Sequence, residues 1–125
     1  MKIGRVSSAA LMLSGLSGFL MPTSVASALH LPAVSARAVA ETRAGLGGTY
    51  AALGAWALLS RNPAAHAAVG VTWLGAAAAR LASLAIDHPR TDAAYWAYLA
   101  AELGFGAAAI ASAIRHADGI TATRG

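Results

Sequence analysis

Cysteine is absent from this sequence, which excludes disulfide scaffolds, thiolate catalysis, Cys-ligated zinc and iron–sulfur clusters. Charge is scarce. Nine basic and five acidic side chains make up 11% of 125 residues, where soluble domains carry about 25%. A soluble globule of this size is mostly surface, and that surface needs charge. The shortage argues against a water-soluble domain. It argues equally against a disordered chain, which would be polar and charge-rich. The alternation of a barrel strand is missing as well, so the apolar segments read as helix.

What remains is an apolar chain of one domain's length. Hydrophobic residues reach 58%, and the mean hydropathy is +0.59. These values indicate an integral membrane protein with the lipid bilayer as its principal partner. The formal net charge of +4 would suggest nucleic acid in a soluble protein. Here Lys and Arg are spread singly, the pattern that sets membrane topology, and no nucleic-acid partner is expected.

Alanine is the commonest residue and only weakly hydrophobic, so charge-free length locates the spans better than hydropathy does. Four segments result: Ile3 to Met21, ended by Pro22; Ala44 to Ser60, ended by Arg61-Asn62-Pro63; Ala64 to Ile86; and Ala93 to Ile114. Each approaches the roughly 20 residues that cross a bilayer at 1.5 Å per residue. Asp87-His88-Pro89-Arg90-Thr91-Asp92 is a loop with its own breaker. Residues 115–125 read as a polar tail. The expected fold is all-α: a four-helix transmembrane bundle, antiparallel between up-down neighbours, forming a single domain over 1–125. Ala26-Ser27-Ala28 also admits a cleaved signal peptide. The preferred reading is an uncleaved first helix followed by an external loop over 23–40, with room for a short helix lying at the interface.

Counting Lys and Arg by side gives Lys2, Arg5, Arg61, Arg115 and Arg124 against Arg37, Arg43 and Arg90. That excess favours cytoplasmic termini in the cell membrane. Tyr95, Trp96 and Tyr98 would then form an aromatic belt at the outer end of the fourth helix, or else pack between helices. Small residues four apart (Ser14/Gly18, Gly47/Ala51, Gly48/Ala52) would let helices approach closely. A homo-oligomer stays open.

Two charges fall inside spans, Arg80 and Glu102. Charge at the centre of a membrane helix costs about 2.5–3.5 kcal/mol on insertion scales, so these two should face each other in the outer half of the bundle. Glu41 and Arg43 precede the second span at the same level. Together Glu41, Arg43, Arg80 and Glu102 would form a balanced polar cluster, with Tyr50 a turn or two deeper. Such a cluster serves as a structural clamp or as a site for a small, unidentified ligand. Glu41-Thr42-Arg43-Ala44-Gly45-Leu46-Gly47-Gly48 shares only its glycines with a dinucleotide fingerprint, and no strand precedes it. His30, His66, His88 and His116 lie near segment ends, away from where a haem pair would sit. No metal-ligand spacing or catalytic triad is present, so no catalytic residue, metal or cofactor is assigned.

The E-x-R-x-G-x-G-G run, Arg80-Leu81-Ala82-Ser83-Leu84, the Asp-His-Pro loop and Glu102 resemble domain-of-unknown-function family 4345. The resemblance covers about Leu11 to Ile114. It implies a small bacterial membrane protein with four helices and an uncleaved first helix. It implies no activity. The expected function is therefore that of an uncharacterised, non-enzymatic multi-pass membrane protein, held together by its polar cluster. The alternative is small-molecule or lipid binding, or a transport-related subunit, using the same cluster.

Overall fold

The structure is a computed structural model and describes residues 2–123. Among them every regular element is helical: α1 Lys2–Leu20, α2 Pro22–Ala28, α3 Ala36–Thr42, a π-helical segment Arg43–Gly48, α4 Thr49–Leu59, α5 Pro63–Ile86 and α6 Ala93–Ala122. Met1, Arg124 and Gly125 lie outside the described residues. Arg124, one of the charges used for orientation, is thus not placed. Three helices, α1, α5 and α6, are long and apolar enough to cross a membrane, which is compatible with a membrane location.

Local chemistry sets most boundaries. The Ser35 side chain accepts from the Ala38 amide at 3.1 Å and starts α3. Asn62 Oδ1 accepts from the Ala64 amide at 2.9 Å, and Pro63 occupies the first turn, where a missing N–H costs nothing. Asp92 Oδ1 accepts from the Tyr95 amide at 2.9 Å and starts α6. His88, in the loop between α5 and α6, has φ 48°, a left-handed conformation that His adopts more readily than most side chains. Two sequence expectations are revised. The polar tail from residue 115 is helical through Ala122, because its Ala, Arg, His and Ile residues continue a helix and the first breaker, Gly119, is tolerated. The second segment begins earlier than Ala44, since residues 36–59 are helical without interruption. Their charged start was read as loop because charge was used as the span boundary.

The chain divides into two compact units, residues 8–59 and residues 1–7 with 60–125. Within the first unit, the later part of α1 meets the π-helical segment and α4 backbone to backbone. A methyl group on Gly15 would lie 2.1 Å from the Ala51 amide nitrogen, and one on Gly47 would lie 2.6 Å from the Phe19 nitrogen. Both positions must lack a side chain. Gly18, Gly47 and Ala51 from the expected small-residue pairs take part in this contact, whereas Ser14 and Ala52 are exposed. Ser8, Leu11, Ala26 and Ala57 are buried.

In the second unit α5 and α6 fold back on each other. Gly70 lies against Ile110, Gly106 lies against Leu74, and the Trp73 and Phe105 rings pack with centroids 5.5 Å apart. The first residues of α1 join this unit. The Ser7 hydroxyl donates to the Phe105 carbonyl at 2.8 Å, and Gly4 sits against Ser112. Buried positions are Ser7, Ala65, Val69, Ala77 and Ala109. The exposed ones include Val6, Val71, Ile86, Trp96 and Leu103. Small and polar residues inside with large apolar ones outside invert the soluble pattern and match helices solvated by lipid.

The glycines divide into two testable classes. Gly15→Ala should lower the unfolding temperature in mild detergent by more than 10 °C or prevent accumulation, since backbone stands where the methyl must go. Gly75 has nothing within 4 Å of an added Cβ, so Gly75→Ala should stabilise its helix by up to about 1 kcal/mol.

Candidate functional site

Arg80 sits two turns before the end of α5, and Glu102 lies in the third turn of α6. The reversal between these helices brings the two side chains face to face. Arg80 Nε donates to Glu102 Oε2 at 2.9 Å, and Nη2 donates to Oε1 at 2.7 Å. This is the bidentate fork in which guanidinium and carboxylate planes match, the strongest form of the pair. Glu102 is buried at 7% exposure, and the Arg80 side chain is 22% exposed.

Two tyrosines complete the site. The Arg80 guanidinium carbon lies 5.1 Å from the Tyr95 ring centroid and 5.6 Å from that of Tyr98. Both distances place the cation within reach of the ring quadrupoles. The Tyr95 hydroxyl donates to the Arg80 carbonyl at 2.8 Å, tying the ring to the helix that carries the cation. Arg80 Nη1 makes no hydrogen bond to a described residue. A groove of about 360 Å³ beside the guanidinium is lined by Ala76, Ala79, Ser83, Asp87, Pro89 and Tyr95.

The other two sequence-predicted site residues belong to the unit of residues 8–59. Glu41 takes Arg37, four residues earlier on α3, at 2.5 Å, and both side chains are well exposed. Arg43 Nη1 donates to the Phe19 carbonyl, and its guanidinium lies 5.3 Å from the Phe19 ring centroid. Within this unit, then, Glu41 and Arg43 each have a partner that the sequence reading does not name. Tyr50 makes no hydrogen bond to a described residue. Among the described residues no group of three or more His, Cys, Asp or Glu is placed to hold a metal ion.

The sequence leaves the tyrosines open between the lipid interface and packing against a neighbouring helix, and it gives no role to Arg37. Tyr95, Tyr98 and Glu102 stand at i, i+3 and i+7, one face of a helix, which is the signal that favours the second. For Arg37 the i,i+4 spacing to Glu41 was equally visible.

The arrangement defines a class of helical proteins with a charged pair set between two long apolar helices. Residues 3–113 match the family described as Domain of unknown function (DUF4345), and the chain belongs to that family. No curated protein and no solved structure matches it.

The fork and the stacking predict that lysine cannot replace Arg80. A point-charge ammonium keeps the attraction but loses the two parallel bonds and the planar face. Arg80→Lys should cost about 1–2 kcal/mol, and Tyr95→Phe, which removes one hydroxyl donor, about 1 kcal/mol. Thermal unfolding of the full chain in mild detergent measures both; a neutral Arg80→Lys would show that the fork contributes nothing.

Proposed function

We propose that this chain is a multi-pass integral membrane protein without catalytic activity, in which the Arg80–Glu102 pair clamps α5 to α6. The observation that carries this reading is the bidentate pair itself, formed between two helices that also meet where Gly70 lies against Ile110, Gly106 against Leu74 and the Trp73 ring against Phe105. Ionised groups inside a membrane segment turn toward protein and pair with one another. Removal of one member leaves an uncompensated charge, which costs about 3–5 kcal/mol when fully buried.

The continuous helical stretch 36–59 supplies a fourth span beside α1, α5 and α6. Its individual elements are short, but its uninterrupted length is about 36 Å at the helical rise, enough to cross a bilayer. Neighbouring spans then alternate in direction as an antiparallel up-down bundle. The excess of basic residues favours both termini in the cytoplasm. Depths on α6 agree with this frame. From Tyr95 to Arg115 is about 30 Å along the helix, the thickness of the hydrocarbon core. Tyr95 and Trp96 then mark the outer interface, and Glu102 lies about 10 Å inside it.

A second reading is supported by the groove beside Arg80, with its Ser83 hydroxyl and the free Nη1 edge of the guanidinium. There the pair would hold a small molecule or lipid, as a binding or transport-related subunit does.

The readings separate by mutation. For a clamp, Arg80→Ala and Glu102→Ala each lower membrane accumulation several-fold, and the double Arg80→Met/Glu102→Met recovers part of the loss. Equal damage in all three would exclude a direct pair. For a ligand site, the single variants accumulate normally but lose a reproducible adduct in native mass spectrometry. Reporter fusions after Arg61, Arg90 and Ala122 test the frame: Arg61 and Ala122 should report cytoplasm and Arg90 the opposite side.

A further inference from the structure

At the other end of α6 the chain gathers positive charge around a cleft that the clamp does not use. Lys2 and Ile3 from the start of α1 and Ser112, Arg115 and His116 from α6 line a cavity of about 450 Å³. Two more basic side chains stand next to it. Arg5 lies one turn further along α1, and His66, at 5% exposure, hydrogen-bonds the backbone of Gly4. No lining residue is acidic. Lys2, Arg115 and His116 form no ion pair with a described residue. The nearest acid in sequence, Asp118, is exposed and outside the lining. The Ser112 hydroxyl is not bonded to any described residue, and Ser112 itself is packed against Gly4.

This is a basic cleft in which Lys2, Arg115 and His116 have no ion-pair partner among the described residues, with a hydroxyl at its wall and the positive end of the α1 dipole at its edge. Topology signalling requires only that Lys and Arg lie on one side of the membrane. It does not require that residues from the two ends of the chain converge on one hollow. We propose that this cleft binds a phosphate group. Lys2 and Arg115 supply charge, while Ser112 and His116 supply hydrogen bonds. The depth along α6 sets the cleft at the membrane surface, where basic pockets between helices take anionic headgroups. A lipid phosphodiester and a soluble phosphate present the same chemistry there. The proposal is independent of the clamp; only its lipid arm rests on the membrane reading.

The experiment measures the unfolding temperature of the full chain in neutral detergent while titrating short-chain phosphatidylglycerol, short-chain phosphatidylcholine or inorganic phosphate. Binding to the folded state raises that temperature. A rise of several degrees with phosphatidylglycerol but with neither of the others identifies a lipid headgroup. A rise with inorganic phosphate at matched ionic strength, where sodium chloride gives none, identifies a soluble source. Lys2→Gln/Arg115→Gln should weaken the effect on the order of tenfold, whereas Arg90→Gln, which removes a charge from the loop after α5, should leave it unchanged. No rise with either anion in the parent protein overturns the proposal whatever the variants do. An undiminished rise in the double variant, or equal loss in Arg90→Gln, overturns it too. If the double variant does not accumulate, Ser112→Val and Arg115→Gln are measured singly, and unchanged binding in both is the overturning result.

Discussion

Where Gly15 lies against the Ala51 amide nitrogen there is no room for a methyl group, and much of the remaining packing follows from contacts of that kind. In lipid there is no hydrophobic force to draw helices together, because the tails are as apolar as leucine. Cohesion must come from close van der Waals approach and from polar groups that have nowhere better to go. The chain provides the first through Gly, Ala and Ser at its contacts. It keeps Leu, Val, Ile and Trp largely for the outer faces. The abundant alanine is therefore the material of the interior.

The polar contribution is concentrated at Arg80. A guanidinium set between two long apolar helices needs a counter-charge, acceptors and a planar face. Glu102 provides the first two and the tyrosines the third. The pair is specific because it is geometrically demanding. On the proposed clamp reading the fork would set the register of α5 against α6, and the Tyr95 hydroxyl bonds the Arg80 carbonyl from the first turn of α6. Helix faces made of small residues slide easily, so a single directional contact can select one register among several with similar packing.

Much of this was legible in the sequence, for physical reasons. Low charge and long charge-free stretches reveal helices in a chain of this composition, and a lone acid and a lone base at comparable depth on successive helices have strong cause to meet. The less legible parts have causes of their own. Arg37 reads as loop, and Glu41 and Arg43 as residues just ahead of the second helix, because a charge marks the limit of an apolar run. Helix formation does not stop at that limit, and Ser35 caps the helix upstream of all three. The same assumption cut α6 at Ile114. For Tyr95 and Tyr98 the sequence supports both an interface depth and packing against α5, because it does not say which way a ring turns; their contacts with Arg80 settle the direction without changing the depth. Backbone approach at Gly15 left no pattern of its own, since Gly15 is not part of any four-residue spacing that was considered.

The π-helical segment at Arg43–Gly48 has a geometric effect beyond its own six residues. A π turn holds about one residue more than an α turn, and one residue corresponds to roughly 100° around the axis. The stripe of side chains that begins on α3 is therefore not the stripe that continues along α4. A helical wheel drawn through residues 36–59 as one ideal helix would align Arg37 and Glu41 with the wrong downstream partners. The phase break lets one unbroken rod carry two independent faces: an ion-paired one on α3, and a side-chain-free one, centred on Gly47, whose direction is chosen to suit α1. Any insertion or deletion between Thr42 and Thr49 would act as a rotation of one face against the other rather than as a change in length.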